Sequence, residues 1–523
     1  MRTPLLSRLG VAGRVWPASL SALAILASAT TALATALSAS TPVQVVDNPL
    51  GSSTVCKQQV AQQTALGSTN YPDAEVEPYV AVNPTNPSHL VASFQQDRWN
   101  DGGSNGLTNV VSTDGGANWK LAKQQPQFSI CEGATSGSPG FFNRATDPWV
   151  SFSADGKIVY SISDSFNADG PGFGGASSII VSRSTDGGQS WKTPVTLELD
   201  TSFTVLNDKE SITADPVLAK VAYGVWDRLV SPSTNANPSA FTFSRAFRGP
   251  AMFSKTTDGG VTWSQGRMIF DPGEQNQTIG NQVVVPAAGP AKGVLIDGFD
   301  LIVNRQRERI SPNTFNVALI RSADGGTTWS GPTIVSSLVD APVTINGQAV
   351  RTGDILPAWA AGPTGTLYVA WQDGRFTGLA AIAFSQSTDG GLTWSQPIRI
   401  DQTPGSAPAF TPQLSLASDG TVGVTYYNLQ NATASKPGLT DAFIVHCQAK
   451  SDCTAAKSWS AGGQTLLSTT GSFDMTTAPN AGGFFVGDYE GLTASGTKFA
   501  PFFVMAQPIA TKGPADPFAN TAN

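Results

Sequence analysis

Charged side chains recur at equivalent points of this 523-residue sequence. An Asp-Arg or Asp-Gly-Arg pair follows three apolar stretches, and the arginines of these pairs are Arg98, Arg228 and Arg375. A guanidinium group binds a carboxylate through two parallel hydrogen bonds, so three converging guanidiniums would bind an acidic ligand. Trp226 and Trp371 precede two of the pairs and are candidates for the same site. The alternative is a repeated ion pair that stabilises the fold.

A second group consists of acidic residues at or just before the starts of predicted strands. They are Glu77, Asp147, Asp208, Glu210, Asp354, Asp488 and Glu490. Carboxylates that surround one well can serve as acid, base or cation ligands. Any one of them can instead cap a turn or pair with a neighbouring cation such as Lys209. The sequence assigns no metal ligand and no cofactor, although a structural calcium ion stays open.

An eight-residue pattern that occurs five times must help to position these side chains. Its copies are STDGGANW (112–119), STDGGQSW (184–191), TTDGGVTW (256–263), SADGGTTW (322–329) and STDGGLTW (387–394). An apolar run precedes each copy and an extended segment follows it, which predicts a hairpin between two strands. In the turn, the aspartate accepts hydrogen bonds from amides, the glycines adopt positive φ and the tryptophan packs over the hairpin. The aspartates are Asp114, Asp186, Asp258, Asp324 and Asp389.

This octet resembles the Asp-box, or BNR repeat, of the sialidase-like β-propellers, and the resemblance covers roughly residues 75–505. The copies lie about 65 to 72 residues apart, which is near the length of one four-stranded sheet with its loops. The resemblance implies an all-β propeller of four-stranded antiparallel blades. Seven predicted inner strands favour seven blades, and six is the alternative because the sialidases have six. These strands begin near Glu77, Asp147, Glu210, Asn281, Leu356, Pro412 and Tyr489.

The resemblance also implies roles for individual residues. Sialidases attack the anomeric carbon with a Tyr/Glu pair, so Tyr489 is the candidate nucleophile, and Glu210 or Glu77 its base. Asp147 or Asp97 is the candidate acid. The first unit has no Arg-Ile-Pro motif, where sialidases place one of three arginines that bind the substrate carboxylate.

Three classes of function therefore stay open. The first is an exported exo-hydrolase that removes an acidic, sialic-acid-like sugar from glycoconjugates. The second is a non-catalytic propeller that binds a carbohydrate or a protein, and the third is a lyase of uronic-acid polysaccharides. The net charge of −7 and the lack of a basic stripe argue against a nucleic-acid partner. With only two histidines, a Ser-His-Asp triad or a histidine-bound zinc site is not expected.

The chain is predicted to have four parts. Residues 1–34 have the arginines, apolar run and Ala-Leu-Ala end of a secretory signal peptide. Residues 35–74 are an N-terminal segment, of which 43–46 or 54–60 would complete the last blade. Residues 75–507 form the propeller and residues 508–523 a C-terminal tail. We expect a secreted monomer, extracellular or periplasmic, with no membrane span.

Four cysteines in an exported chain predict disulfide bonds. Cys447 and Cys453 are the expected pair, because they lie where a sixth Asp-box would precede Trp459. The disulfide would then replace the turn that the sixth hairpin has lost. The pairing of Cys56 and Cys131 stays open.

Overall fold

The computed structural model describes residues 36–46, 50, 53–170, 173–234, 248–304, 314–507 and 513–523. These residues belong to one compact unit that spans Ala34–Asn523. The predicted signal peptide and the loop residues 235–247 and 305–313 lie outside the described residues.

The described chain is almost entirely β-structure. Strand β1 (Val43–Gln44) and helix α1 (Thr54–Ala65) come first. Sheet one contains β2 (Val76–Asn83), β3 (Asn86–Arg98), β4 (Ser104–Ser112) and β5 (Lys120–Leu121). Sheet two contains β6 (Arg144–Phe152), β7 (Val159–Phe166), β8 (Ser177–Ser184) and β9 (Val195–Asp200). Sheet three contains β10 (Val205–Ala214), β11 (Ala222–Val230), β12 (Ala251–Thr256) and β13 (Arg267–Phe270). Sheet four contains β14 (Gln277–Val284), β15 (Leu295–Ile302), β16 (Phe315–Ser322) and β17 (Thr333–Leu338).

The second half of the chain repeats this organisation with one insertion. The inserted hairpin is β18 (Val343–Ile345) and β19 (Gln348–Arg351). Sheet five contains β20 (Ala358–Ala361), β21 (Leu367–Asp373), β22 (Ala381–Ser387) and β23 (Ile398–Arg399). Sheet six contains β24 (Ala409–Leu416), β25 (Val422–Asn428), β26 (Leu439–Cys447) and, after helix α2 (Ala456–Ser460), β27 (Thr465–Leu466). Then follow β28 (Phe473–Asp474), a 3₁₀ turn (Met475–Thr477), β29 (Phe484–Phe485), β30 (Gly491–Ser495), β31 (Lys498–Ala506) and β32 (Ala515–Ala519).

Strand pairing confirms the predicted all-β class with four-stranded antiparallel sheets. Within the described ranges seven such sheets occur, and a single bridge between Ser104 and Ala145 joins sheets one and two. The first strand of each sheet contacts the first strand of the next, and that of sheet seven contacts that of sheet one. The hydrophobic core lies between neighbouring sheets, as where Ile162 of sheet two packs with Trp226 of sheet three.

The seventh sheet combines both ends of the chain. Its strands are β30, β31, β32 and β1, and Val43 pairs with Ala519. Two predicted features differ here. Residues 54–60 lie in α1, since the Ser53 side chain accepts a hydrogen bond from the amide of Cys56 as an N-cap and more than half of the helix consists of Gln, Ala and Lys, which favour helices. The prediction of a tail over 508–523 is wrong for Ala515–Ala519, whose backbone pairs with β31.

Each octet forms a turn in which the aspartate accepts hydrogen bonds from backbone N–H groups. In the first copy, the amide of Asn118 donates to Asp114 Oδ1 at 2.9 Å, and the hydroxyl of Ser112 donates to the same carboxylate at 2.9 Å. The glycines of the turn have positive φ, including 92° at Gly116. The tryptophan Nε1 of this copy donates to the Gly116 carbonyl at 3.1 Å. These contacts are made inside the hairpin, which is a structural role.

The predicted disulfide between Cys447 and Cys453 is confirmed, with Cα atoms 5.8 Å apart. Trp459 lies on α2 and donates its Nε1–H to the Cys453 carbonyl at 2.9 Å. The hairpin of sheet six thus carries a disulfide and a short helix where those of sheets one to five carry the octet. Cys56 of α1 is bonded to Cys131, so the N-terminal helix is tied to the segment after sheet one.

Candidate functional site

A repeated β-bulge positions the central charged residues. The register between the first and second strands shifts near the start of the first strand in five sheets. A residue with positive φ lies at each shift, and these residues are Glu77 (51°), Asp147 (50°), Lys209 (49°), Gly280 (71°) and Thr411 (51°). Positive φ is uncommon outside glycine, and a bulge redirects the side chain that it carries. The bulge therefore places Glu77, Asp147 and Lys209 at the same position of sheets one, two and three.

Lys209 is the common partner of three carboxylates. Its ammonium lies 2.8 Å from Asp147 Oδ1, 2.9 Å from Asp488 Oδ2 and 3.3 Å from Glu77 Oε1. The three carboxylate side chains are buried, and the Lys209 side chain is 9% exposed. Burial disfavours the charged ammonium, but the three carboxylates outweigh it and raise the pKa of Lys209 well above its usual value. One buried cation therefore joins three sheets.

Arg351 brings a second cation to this cluster from the inserted hairpin. Its guanidinium binds Asp488 with two groups, Nε at 2.8 Å from Oδ1 and Nη2 on Oδ2. Burial would raise the pKa of Asp488, but Arg351 and then Lys209 outweigh it and hold that pKa well below the usual range. The Arg351 side chain is 33% exposed, whereas that of Asp488 is 5% exposed. Arg351 therefore connects the buried cluster with solvent.

Close backbone packing holds the Arg351 hairpin in place. Strand β19 pairs in parallel with β29, and the Arg351 guanidinium lies 4.6 Å above the Phe485 ring. Gly353 has a φ of 60°, and a Cβ there would lie 2.0 Å from the Asp488 carbonyl oxygen. A side chain at position 353 would therefore push the hairpin away from Asp488.

A small cavity lies beside the cluster. Its lining includes Asp147, Trp149, Lys209, Glu210, Gln413 and Tyr489, and its volume is about 20 Å³. This volume is enough for a water molecule. The amide of Asp164 donates to Glu210 Oε1, and Glu210 Oε2 has no hydrogen-bond partner in the described part of the chain.

The Tyr489 hydroxyl donates to the Pro148 carbonyl at 3.3 Å. Burial raises its pKa well above the usual value, and the surrounding carboxylates add to the shift. Its ring lies 5.4 Å from that of Trp149, and the Lys209 ammonium lies 5.8 Å from its centroid. Tyr489 thus forms one wall of the cavity, and its hydroxyl group donates a hydrogen bond to a backbone carbonyl.

The three predicted arginines have different partners. Arg228 binds Asp200, with Nε 2.9 Å from Oδ2, and Arg375 binds Asp373, with Nε 2.9 Å from Oδ1. Arg98 is 2% exposed and donates to Gln95 Oε1 at 2.8 Å. Arg228 and Arg375 thus each form an ion pair within the protein, as expected if these residues stabilise the fold. Substrate binding by the three arginines stays a prediction.

The aspartates and tryptophans next to these arginines are buried. The Asp97 carboxylate accepts the amides of Asp73 at 2.9 Å and Leu50 at 3.3 Å, so it ties the N-terminal segment to sheet one. Trp226 donates its Nε1–H to Asn207 at 3.0 Å. Trp371 donates to Asp373 at 2.7 Å. Both tryptophans are fully buried, which excludes direct stacking on a ligand in solvent.

Among the described residues, both histidines have structural surroundings. His89 Nε2 is 2.9 Å from the carbonyl of Gly187, in the second Asp-box. His446 is buried in sheet six, and burial lowers its pKa. No helix in the described ranges combines the length and apolarity needed to cross a membrane.

Comparison with known proteins gives fold-level neighbours only. No protein-family model matches the chain, and no curated protein is similar to it. A protein of unknown function from Dyadobacter fermentans DSM 18053 is 14% identical over 93% of this chain and 99% of that chain, with a TM-score of 0.44. A Hadza microbial sialidase is 15% identical over 83% and 74%, with a TM-score of 0.44. An alpha-L-arabinanase of Penicillium chrysogenum, complexed with arabinobiose, is 12% identical over 74% and 94%, with a TM-score of 0.45. Similarity at this level does not indicate the activity of this chain.

Proposed function

We propose that this chain is an exported glycan-processing enzyme, a seven-bladed propeller that hydrolyses an acidic sugar from a glycoconjugate. The observation that carries the proposal is that Asp147 and Glu210, from two sheets, line one cavity with Lys209 and Tyr489. Two carboxylates beside a water-sized cavity suit hydrolysis of a glycosidic bond. The seven four-stranded sheets and the contacts between their first strands support the blade count.

In this proposal the sugar lies over the mouth of the cavity and a water molecule lies inside it. One carboxylate takes a proton from the water as its oxygen attacks the anomeric carbon. The other carboxylate gives a proton to the leaving-group oxygen as the glycosidic bond breaks. Asp147 and Glu210 supply the pair, and the assignment of acid and base stays open between them.

Arg351 is the proposed recognition group for the acidic part of the substrate. It has one-third of its side chain exposed, whereas Arg98 is almost fully buried. Arginine binds carboxylates in a planar fork, and the Nη1 of Arg351 makes one 3.3 Å contact to the Ala481 carbonyl, which a substrate can replace. The Tyr489 hydroxyl donates to a backbone carbonyl, and its role as the nucleophile stays a prediction that this scheme does not need.

A non-catalytic glycan-binding propeller is the second candidate. The observation that favours it is that Arg228 already pairs with Asp200 of sheet two and Arg375 with Asp373 of its own sheet, so two of the three guanidiniums have a carboxylate partner within the protein. A panel of chromogenic sialosides, uronides and neutral glycosides separates the two. Turnover of an acidic glycoside supports the enzyme. Retention on an acidic-glycan array without any turnover supports the binding protein and contradicts hydrolysis.

A further inference from the structure

Three buried carboxylates converge between sheets two and three. Asp147 lies on β6, Asp164 on β7 and Asp208 on β10. Each offers one oxygen, and these oxygens all lie within 4.8 Å of one another. The residues are 2%, 1% and 6% exposed, respectively. Three carboxylates so close together and away from solvent repel one another unless a cation or protons compensate them.

Two of the three carboxylates have an unsatisfied oxygen. Asp164 Oδ1 and Asp208 Oδ2 are buried and have no hydrogen-bond partner among the described residues. Buried polar atoms in folded proteins are almost always paired, and an unpaired one calls for a water molecule or an ion. Both residues belong to the same cluster, so one ligand bound there could serve both carboxylates.

The neighbouring cations do not satisfy this cluster. Lys209 forms ion pairs with Asp147, Asp488 and Glu77, and no ion pair within 4.0 Å to Asp164 or Asp208 occurs in the described ranges. Arg351 binds Asp488. Asp147 thus has Lys209 on one oxygen, while no cation of the described residues forms an ion pair within 4.0 Å with Asp164 or Asp208.

We propose that Asp147, Asp164 and Asp208 bind one hard divalent cation, Ca²⁺ or Mg²⁺. Carboxylate oxygens without nitrogen or sulfur ligands suit these ions. Ca²⁺ binds oxygen at about 2.3–2.6 Å, so oxygens on opposite sides of its shell are about 5 Å apart, which accommodates the spacing here. Water from the adjacent cavity, which Asp147 also lines, would complete the shell. The ion would stabilise the joint between sheets two and three, and this inference does not depend on the proposed function.

Calorimetric titration of the chelator-treated, full-length protein tests the proposal. We expect one ion per chain for CaCl₂ or MgCl₂, and a melting temperature that rises with the concentration of the same ion. Absence of saturable binding of both ions would overturn the proposal.

Variants locate the ion. Asp164→Asn and Asp208→Asn should each lose the saturable binding and the shift in melting temperature. Asp297→Asn is the matched control, since Asp297 is also fully buried with both oxygens unpartnered among the described residues, but lies on β15 outside the cluster. Binding that survives in both cluster variants, or is equally lost in the control, would contradict the assignment.

The unmodified protein gives a second readout that needs no variant. Trp149 and Asp147 line the same cavity, so Tb³⁺ at the site should emit when tryptophan is excited. We expect added Ca²⁺ to displace Tb³⁺ from the site and so to reduce this emission. Emission that is absent, or that Ca²⁺ leaves unchanged, would overturn the proposal even if the asparagine variants fail to fold.

Discussion

Asp147 and Lys209 occupy the same bulge position in adjacent sheets, and the Lys209 ammonium lies 2.8 Å from the Asp147 carboxylate. Both have a φ near 50°, a conformation that costs a non-glycine residue on the order of 1 kcal/mol or more. The bulges of sheets two and three turn these two side chains toward each other. A buried ion pair between sheets is the result.

Removal of the central cation should destabilise the fold. Lys209→Met leaves three buried carboxylates without their shared partner, and loss of one member of a buried ion pair costs about 3–5 kcal/mol. Urea denaturation would measure this loss in the free energy of unfolding. Lys157→Met is the control, since Lys157 forms an exposed 3.4 Å pair with Asp155, and we expect a change of at most about 1 kcal/mol. Equal effects of the two changes would contradict a structural role for the cluster.

Low pH should remove the stability that an Asp-box carboxylate contributes to the folded protein. Hydrogen bonds from the Thr262 hydroxyl and amide lower the pKa of Asp258 to about 2, below about 3.9 in an unfolded chain. A lowered folded-state pKa adds stability above the unfolded pKa, and this stability is lost as the pH falls through the folded pKa. The difference in unfolding free energy between wild type and Asp258→Asn should therefore be constant above pH 5 and shrink between about pH 4 and 2. A difference that grows toward low pH would mean that folding raises the pKa of Asp258 and does not lower it. Turnover or binding per folded molecule should not change.

The two disulfides should differ in their effect on stability. A disulfide restricts the unfolded chain more when its loop is longer, and the sequence separations here are 75 for Cys56–Cys131 and 6 for Cys447–Cys453. The chain-entropy model gives about 4–5 kcal/mol for the first and about 2 kcal/mol for the second. Double Cys→Ser variants, compared by chemical denaturation, measure both. A larger loss from the short loop would show that the local staple beside Trp459 outweighs chain entropy.

Arg351 and Arg228 should have different effects on function. Arg351→Ala should raise the KM for an acidic substrate about tenfold or more, because a charge-assisted hydrogen bond to the substrate is lost. Arg228→Ala should leave KM and kcat unchanged and lower only the melting temperature, because this side chain pairs with Asp200. Steady-state kinetics on an acidic and a neutral glycoside provide the comparison. A large loss of activity in the Arg228 variant alone would indicate that Arg228, and not Arg351, binds the substrate.

The sequence was sufficient for the all-β class and its antiparallel hairpins because their signals are local. Five Asp-boxes and the apolar runs beside them predicted hairpins that the strand pairing contains, and the six-residue spacing of Cys447 and Cys453 predicted their bond. First strands were predicted near Glu77, Asp147 and Glu210, and β2, β6 and β10 lie there.

The site was harder to predict because its contacts are not local. The sequence predicts Lys209 only as a partner of a neighbouring carboxylate, because its place between three sheets depends on bulges that no residue pattern marks. Arg351 reaches Asp488 across 137 residues through a parallel pairing of two short strands. Asp164 lies inside an ordinary strand, and only the packing of sheet two against sheet three brings it to Asp208. The partner of Arg228 was not readable from the sequence either, since Arg228 pairs with Asp200 and not with Asp227 beside it.

The turnover number of Glu210→Gln on an acidic glycoside tests the proposed hydrolysis most directly. Glu490→Gln is the matched control, because Glu490 is also buried, accepts one backbone amide and has a second oxygen without a partner among the described residues. If Glu210 moves a proton in the reaction, its variant should lose about a hundredfold or more in kcat while the control keeps its rate. Equal kcat values for wild type and Glu210→Gln would contradict the account.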